Sequence, residues 1–364
     1  VKTSAKKGNY VGGLIGYYYG VGDIKNISAN KMEITGVKYV GGIAGGIYLS
    51  NVDNVTISKT NVVGTDSYVG IMTGRIGENA NAQAFKVSNV LIQGKPTFTK
   101  GVLTGSDTSV SGNGEVGGIA GRSYESDCYQ RGTLDSNANN VVDGIYVKGM
   151  ANNIGGAYGY HYTNSYRITV TNTLVEATSS TSRSNVGGVI GNDVYGGGNL
   201  TGKNNRIITK NFSNVGGLIG LKERSTVRYN YCENTTIEAS SKLSTRNSNV
   251  GGAIGHSSYS SSYYCGVVNS KILAPTMDNV GGIIGKLGVS ITTGYTLSQS
   301  YGIADTDSTK VNTEEAAVAK PEYTIVGYTN VGGIVGKLEG SNITYSYSNM
   351  NVAAMGGAQS VAGG

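Results

Sequence analysis

The chain has 364 residues, of which 58 are glycine, 26 are tyrosine, 3 are proline and none is tryptophan. Glycine is about twice as frequent as its usual ~7%, but it does not recur at every third position, which excludes collagen. The net charge of +6 is spread along the chain without a run of lysine and arginine, which excludes an extended nucleic-acid-binding surface.

The cysteines and the apolar residues restrict the class of protein further. Three cysteines without a C-x-x-C pair do not make a disulfide framework. No apolar run approaches the ~18 residues of a membrane helix, so we predict no membrane insertion within this segment. We expect both ends of the sequence to be cuts in a longer polypeptide, because a repeat begins as early as Val11.

A six-residue unit with the pattern V-G-G-x-x-G recurs along the chain. Its copies begin at Val11, Val40, Val69, Val116, Ile154, Val186, Val215, Val250, Val280 and Val331. The first glycines of the two leading copies, Gly12 and Gly41, are 29 residues apart, and the longer gaps contain insertions. A recurring period of this length is typical of a solenoid.

Each unit contains three short stretches that are typical of strands. The first is the V-G-G-x-x-G unit, the second alternates apolar and polar residues (341–347, SNITYSY), and the third is β-branched (236–239, TIEA). We therefore predict an all-β fold, a parallel β-solenoid (β-helix) of about ten coils with roughly 29-residue repeats and loop insertions. Residues 1–352 are predicted to form a single repeat domain, and residues 353–364 to begin a further degenerate repeat or a linker.

The repeat glycines are predicted to have a structural role. If the motif is one strand, Val11, Gly13 and Ile15 share one face and Gly12 lies on the other. Stacked copies then form columns that permit either close backbone approach or sharp bends with positive φ, and the sequence leaves both open. The structural glycines are Gly12, Gly13, Gly41, Gly42, Gly117, Gly118, Gly155, Gly156, Gly187, Gly188, Gly216, Gly217, Gly251, Gly252, Gly281, Gly282, Gly332 and Gly333.

These residues resemble the GLUG motif, a short glycine-rich repeat found in bacterial surface proteins, including the immunoglobulin A1 protease-like zinc metallopeptidases of Gram-positive bacteria. The resemblance covers the chain from Val11 to about Val352. Those peptidases bind zinc through H-E-x-x-H in a separate catalytic domain. Neither His161 nor His256 has glutamate beside it, so the resemblance implies a non-catalytic repeat region.

Other sites for metals or cofactors are poorly supported. The Gly-Lys pairs at 285–286 and 336–337 lack the spacing and the following Ser or Thr of a phosphate loop. Cys128, Cys232 and Cys265 lie in different units without metal-ligand spacing, so we predict no metal and no cofactor. Cys232 and Cys265 each follow a tyrosine and are expected to be near neighbours in adjacent coils, and a disulfide between them is left open.

Acidic residues give only weak signals for chemistry. Glycoside hydrolysis requires paired carboxylates on one face, whereas the acidic residues here do not recur at one repeat offset. Asp127, Asp135 and Asp143 are the least unsuitable catalytic candidates. Residues 135–139 (DSNAN) and 305–315 resemble half of a calcium loop without its glycine and closing glutamate. We predict that the chain is not an enzyme.

Tyrosine clusters and insertions are the candidate contact surfaces. Tyr160 and Tyr162 alternate, which places both on one face of a strand, and stacked tyrosines form either a structural ladder or a strip that binds a protein or a glycan. Insertions at residues 94–114, 127–149 and 301–328 are candidate binding loops. The candidate partner-binding residues are Tyr160, Tyr162, Asp305, Asp307, Glu314 and Glu315.

The expected function follows from the repeat. We expect a non-catalytic structural or adhesive rod of a bacterial cell-surface or secreted protein, extracellular, that presents loops to a host protein or glycan. Three alternatives remain open: a self-assembling extracellular filament built from copies of the chain, the stalk of an immunoglobulin A1 protease-like zinc metallopeptidase, and a carbohydrate-active β-helix enzyme.

Overall fold

A computed structural model of the chain describes residues 2–4, 9–77, 86–124, 139–162, 166–179, 184–196, 198–241, 248–290, 294–303, 324–356 and 362–363. Within these ranges every regular element is a β-strand, which confirms the predicted all-β class. No candidate for a membrane-spanning helix is found among these residues.

The beginnings of the glycine motifs assemble into one parallel sheet, which we call the motif sheet. Its strands are Asn9–Gly12, Lys38–Gly41, Val69–Gly70, Val116–Gly117, Asn153–Gly155, Asn185–Gly187, Asn214–Gly216, Asn249–Gly251, Asn279–Gly281, Val331–Gly332 and Ala362–Gly363.

A second, larger sheet, which we call the wide sheet, receives the end of each motif and the stretch that follows. Its strands are Ile15–Asn30, Ala44–Ser58, Thr73–Ile76, Val87–Gln93, Ala120–Ser123, Asn140–Asp143, Tyr158–His161, Tyr166–Thr171, Ile190–Asp193, Gly198–Lys203, Ile219–Glu223, Val227–Glu233, Ile254–Ser258, Ser262–Val268, Ile284–Leu287, Thr296–Ser298, Tyr301–Ile303, Val335–Leu338, Asn342–Thr344 and Tyr347–Ser348.

A third sheet, the closing sheet, completes each coil before the next motif begins. Its strands are Lys2–Ser4, Glu33–Gly36, Asn61–Gly64, Ser109–Gly112, Tyr146–Gly149, Leu174–Thr178, Arg206–Lys210, Thr236–Ser240, Lys271–Leu273, Thr324–Gly327 and Asn351–Ala354.

Equivalent residues of successive coils pair in parallel register in all three sheets. Val186 lies beside Val215 in the motif sheet, and Ile207 lies beside Ile237 in the closing sheet. The chain therefore winds through the motif, wide and closing sheets once per coil, which confirms the predicted parallel β-solenoid. The motif sheet continues to the last described strand, where Gly363 lies beside Gly332.

The prediction that V-G-G-x-x-G is a single strand is wrong. In the copy that begins at Val215, the motif-sheet strand ends at Gly216 and a wide-sheet strand begins at Ile219. The motif turns a corner between them, so the predicted alternation of faces across Val11, Gly13 and Ile15 does not hold. The coil that begins at Val215 accordingly has four strands rather than three.

The core is a continuous stack of aliphatic side chains between the sheets. Val186, Val215 and Val250 of the motif sheet have no exposed surface, and neither do Ile207 and Ile237 of the closing sheet. Burying one such side chain contributes about 2 kcal/mol. Because the side chains of one coil rest on those of its neighbours, the core exists only between stacked coils.

The repeat glycines permit close backbone approach, which decides the alternative that the sequence left open. A Cβ on Gly188 would collide with the carbonyl oxygen of Gly217 in the next coil. A Cβ on Gly191 would lie 2.6 Å from the carbonyl oxygen of Gly159 in the preceding coil. The described residues with positive φ include none of these repeat glycines.

The positive-φ bends are made mostly by asparagine and tyrosine. Tyr10, Tyr39 and Tyr68 precede successive motifs with φ of 60°, 51° and 65°, and Asn204 and Asn234 have φ of 54° and 48° at another corner. Asparagine tolerates this region because its short side chain forms local hydrogen bonds, whereas tyrosine adopts it much less often. Equivalent residues at these corners therefore form ridges along the solenoid.

One predicted insertion forms a hairpin on the outside of the solenoid. Pro96–Thr99 and Val102–Ser106 pair antiparallel. Arg206 donates a hydrogen bond of 3.1 Å to the carbonyl oxygen of Leu103, so the hairpin rests on the closing sheet. Phe98 is exposed near its tip.

Candidate functional site

Tyrosine and arginine side chains of the first five coils form one face of the solenoid, which we call the tyrosine–arginine face. It consists of three neighbouring columns of equivalent positions. The first column, directly before each motif, contains Tyr10, Tyr39, Tyr68 and Glu115. The second column, directly after the last motif glycine, contains Tyr17, Gly46, Arg75, Arg122 and Tyr160. The third column, two residues further on, contains Tyr19, Tyr48, Gly77, Tyr124 and Tyr162.

The rings within a column stack on one another. The centroids of Tyr10 and Tyr39 are 4.4 Å apart with 7° between the ring planes, and those of Tyr39 and Tyr68 are 4.8 Å apart with 9°. Tyr19 and Tyr48 stack at 4.8 Å. These distances are close to the spacing of neighbouring strands, so the parallel register itself produces the stacks.

Arg122 joins the columns at the middle of the face. Its guanidinium lies 4.7 Å from the ring centroids of both Tyr68 and Tyr160, and it donates two hydrogen bonds to the carboxylate of Glu115. Burial raises the pKa of Glu115 above its usual value, although Arg122 opposes this shift. Burial would lower the pKa of Arg122, but Glu115 raises it overall.

Two further cations lie against the rings of this face. The guanidinium of Arg75 lies 5.7 Å from the centroid of Tyr39 and 5.6 Å from that of Tyr124. The ammonium of Lys38 lies 5.2 Å from the centroid of Tyr39. The columns defined above therefore contain two cations, Arg75 and Arg122, and one carboxylate, Glu115, and Lys38 lies beside the first column.

A small cleft, which we call the glycine slot, opens in this face where the second and third columns contain glycine. Its walls are formed by Tyr10, Tyr17, Tyr48 and Arg75, and its floor includes Gly46 and Gly77. A Cβ on Gly46 would lie 2.9 Å from the Tyr10 ring and 3.0 Å from the Tyr17 ring. The rings of Tyr10 and Tyr17 therefore lie close over Gly46, and the slot is a narrow cleft without room for a Cβ at this position.

The structure places the two predicted tyrosines together at one end of the tyrosine–arginine face. The centroids of Tyr160 and Tyr162 are 6.4 Å apart, and Tyr162 meets Tyr195 edge-on at 5.0 Å. Burial raises the pKa of Tyr160. The other predicted contact residues, Asp305, Asp307, Glu314 and Glu315, lie outside the described residues.

The column before the motif changes from tyrosine to asparagine beyond Glu115. Its later members are Asn153, Asn185, Asn214, Asn249, Asn279 and Asn330. From Asn185 onward, each side-chain amide donates to the amide oxygen of the asparagine in the preceding coil, at distances of 2.7, 2.7, 2.7, 2.8 and 2.9 Å. Asn153 donates in turn to Glu115 at 3.4 Å. Every amide of this ladder donates toward the preceding coil. The ladder ends at the carboxylate of Glu115, which only accepts hydrogen bonds.

Three ionisable side chains occupy successive positions of one interior column. His161 lies beside Asp193, which lies beside Lys222, and all three have no exposed surface. His161 Nδ1 is 3.3 Å from one Asp193 oxygen, and Lys222 Nζ is 3.1 Å from the other. Burial raises the pKa of Asp193, but the charge of Lys222 and the hydrogen bond with His161 lower it overall. Burial lowers the pKa of Lys222 against the effect of Asp193.

Serine flanks the three in this column, with Ser123 beside His161 and Ser257 beside Lys222, and aliphatic residues occupy the column in coils farther away. Ile47 pairs with Ile76 and Leu287 pairs with Leu338 at the equivalent position. The sequence analysis missed the buried charges, although an alignment of the ten motif copies would have shown them two residues after the last glycine.

Cys232 and Cys265 lie in adjacent coils but do not face each other. Cys232 pairs with Val267, and Asn230 pairs with Cys265. The offset arises because Cys265 is two residues closer to its motif than Cys232. Both thiols are free and buried, and burial raises their pKa values to about 11 and about 12, respectively.

The remaining candidate chemistry is dispersed. Asp143 accepts hydrogen bonds from Thr171 and, at 2.8 Å, from Asn172, whereas Asp127 and Asp135 lie outside the described residues. The part of the chain that the structure describes holds no group of three His, Cys, Asp or Glu that is arranged for a metal ion. Lys286 and Lys337 both pair with Glu339, at 3.0 and 2.7 Å.

The fold and the stacked motif copies define the class of the protein, a parallel β-solenoid built from sequence repeats. The GLUG motif family model matches residues 327–353, which include the copy that begins at Val331 and the strands that follow it in the same coil. This part of the chain therefore carries a GLUG motif, and the other copies of the repeat stack on it in the same register. No curated protein and no solved structure matches the chain.

Proposed function

We propose that the chain is a non-catalytic adhesive rod of a bacterial cell-surface or secreted protein, located outside the cell. A rigid stack of coils holds its outer face at a distance from the point of attachment. The rod presents the tyrosine–arginine face to a host protein or glycan. In this proposal Tyr160 and Tyr162 belong to the contact surface.

The observation that carries the proposal is the tyrosine–arginine face itself. Single exposed apolar residues need no explanation, whereas a contiguous aromatic patch marks an interaction surface. Tyrosine and arginine are also the residues most enriched at energetically important contacts. Tyr17 and Tyr19 are 44% and 64% exposed, so this patch is open to a partner at its first coil.

The GLUG repeat supports the surface location. Repeats of this kind occur in bacterial surface proteins, including the immunoglobulin A1 protease-like zinc metallopeptidases. We place the chain in the non-catalytic repeat region of such a protein, where the rod spaces a further domain from the cell. Incubation of the purified chain with immunoglobulin A1 is then expected to leave that protein intact, and a specific cut would overturn the non-catalytic assignment.

Adhesion by the tyrosine–arginine face is testable with beads that carry the purified chain. We expect the beads to adhere to host epithelial cells, and the triple variant Tyr124→Ala/Tyr160→Ala/Tyr162→Ala to adhere at least about tenfold less. This loss corresponds to about 1.4 kcal/mol. The matched control Tyr229→Ala/Tyr264→Ala removes another stacked pair, with centroids 4.8 Å apart, and is expected to adhere normally. Equal adhesion of both variants would contradict the proposal.

A further inference from the structure

We propose that the folded chain forms a covalent amide bond between the side-chain amine of Lys222 and the side-chain carboxyl of Asp193. The bond joins two successive coils through the interior of the solenoid. This modification goes beyond the adhesive function proposed above and does not depend on it.

The parallel register brings the two reacting groups together. Asp193 and Lys222 are paired residues of neighbouring strands in the wide sheet, and neither side chain has exposed surface. Lys222 Nζ lies 3.1 Å from Oδ2 of Asp193, so the nitrogen is also close to the carboxyl carbon that bears this oxygen. Two groups held in a productive geometry react as if at an effective concentration of about 10⁵–10⁸ M. The fold therefore supplies the proximity that free groups in water lack.

The core around the pair keeps bulk water away from the reacting carbon. Ser123 and Ser257 lie on either side of the ionisable cluster in its column. Ile76 and Leu287 follow in the next coils, and all four side chains are buried. Exclusion of water prevents side reactions at a closed site. Hydrolysis, which reverses amide formation in open solvent, is therefore suppressed here.

The protonation of the pair determines how fast the bond forms. Burial lowers the pKa of Lys222, which favours the neutral amine, the form of lysine that acts as a nucleophile. Burial raises the pKa of Asp193, but Lys222 and His161 lower it overall, so its carboxyl is mostly in the ionised, unreactive form. Amide formation is therefore slow. A freshly folded chain still contains the ion pair, and the amide accumulates afterwards.

The reaction is balanced within the cluster and consumes no other reactant. In the reactive form one proton of the Lys222 ammonium has moved to Oδ1 of Asp193, so the net charge is unchanged. The lone pair of Nζ forms a bond to Cγ, and the bond between Cγ and Oδ1 breaks with its electron pair on oxygen. His161 Nδ1, 3.3 Å from Oδ1, carries a proton from Nζ to Oδ1, which leaves as water. Oδ2 remains as the amide oxygen.

The surroundings of His161 fit a proton carrier. The ring of Tyr158 lies 5.0 Å from the imidazole, centroid to centroid, and Nδ1 faces Asp193. Among the residues that the structure describes, Nε2 of His161 has no hydrogen-bond partner. Buried polar atoms are normally satisfied where a side chain serves stability alone. The imidazole is therefore held toward Asp193 rather than built into a complete hydrogen-bond network.

Mass spectrometry of the intact chain, freshly purified and after incubation for a week, tests the proposal. We expect the mass to fall by that of one water molecule. After digestion with trypsin, residues 184–203 and 211–224 are expected in one branched peptide, because trypsin does not cleave after an acylated Lys222. Lys203 and Glu233 are the control pair. They lie 2.8 Å apart in neighbouring coils but are 45% and 25% exposed, and they are expected to stay unlinked.

Two variants assign the roles of the reacting groups. Lys222→Arg keeps the positive charge without a primary amine and is expected to retain the full mass. His161→Gln is expected to lose water at least about tenfold more slowly, because general acid–base catalysis contributes about 10²–10⁴-fold. An unchanged rate in this variant would show that His161 does not carry the proton.

The decisive outcome is read from the wild type and does not depend on how a variant folds. A wild-type chain that retains its full mass after incubation overturns the proposal. Loss of water without the branched peptide overturns it as well, because cyclisation of an aspartate onto its own backbone also releases one water molecule.

Discussion

At the scale of single residues, glycine and asparagine have different roles in the coils: glycine permits close packing and asparagine forms corners. Gly188 and Gly217 allow neighbouring backbones to approach more closely than any side chain would permit. The corners are instead made by residues such as Asn204 and Asn234, whose φ angles are positive. The sequence identified the glycines but not their role. A glycine pattern looks the same whether the glycines permit close backbone approach or form bends with positive φ.

The buried charges of His161, Asp193 and Lys222 give a residue-scale prediction. Asp193→Leu leaves the ammonium of Lys222 buried without its partner, and breaking a buried ion pair costs about 3–5 kcal/mol. The triple variant His161→Leu/Asp193→Leu/Lys222→Leu matches the aliphatic residues of other coils and is expected to be as stable as the wild type or more so. Unfolding by urea, followed by circular dichroism, measures both.

Acid provides a second test of the same cluster. Because the pKa of Asp193 is lowered in the folded chain, its contribution is present above the usual value of 3.8 and is lost as the pH falls through the lowered pKa. The wild type is therefore expected to lose more stability below about pH 4 than the triple variant. A single variant as stable as the wild type would show that the charges do not interact as described.

At the scale of elements, the motif is a corner rather than a strand. Periodicity predicts a strand wherever apolar residues alternate, but V-G-G-x-x-G is too short to show where the alternation stops. The backbone amides in the middle of the motif donate their hydrogen bonds to the next coil. In the copy that begins at Val186, the amides of Val189 and Ile190 both donate to the carbonyl oxygen of Leu218, at 2.9 and 2.9 Å. Those partners lie a full coil away, so no local pattern reveals them.

The asparagine ladder gives a prediction at this scale. Asn214 bonds both Asn185 and Asn249 and is 8% exposed. Asn214→Ala leaves a buried donor and a buried acceptor unsatisfied, each at a cost of about 1–3 kcal/mol. Asn330, at the described end of the ladder, makes one such bond, so Asn330→Ala is expected to cost less. Thermal unfolding measures both, and equal losses would contradict a continuous ladder.

The candidate site was only partly predictable for a related reason. Alternation placed Tyr160 and Tyr162 on one face correctly, because the local strand period determines it. The contribution of Arg75 and Arg122 to the tyrosine–arginine face depends on which residues of neighbouring coils lie beside them. Because insertions make the motif spacing unequal, the sequence does not show this register directly. Aligning the motif copies restores the columns.

At the scale of the whole molecule, the repeat predicted the architecture because a solenoid has a single solution for stacking identical units. Each coil buries its apolar side only against a neighbour, so the copies must superpose. Insertions such as the hairpin at residues 96–106 lie outside the stack, which is why unequal spacing of the motifs did not disturb the prediction.

The parallel register of the closing sheet permits the most direct test of this architecture. Glu33, Ser109, Thr236 and Lys271 occupy equivalent positions. Six strand spacings separate Glu33 from Thr236, seven separate Glu33 from Lys271, and five separate Ser109 from Lys271. At ~4.8 Å per spacing, spin labels on these pairs are expected about 29, 34 and 24 Å apart.

Pulsed electron spin resonance on the three doubly labelled chains, with the native cysteines replaced by serine, measures these distances. The account predicts that distance rises in proportion to the number of coils between the labels, whatever the number of residues between them. Distances that do not follow the coil count would show that the repeats do not stack, and would contradict the solenoid on which every other conclusion depends.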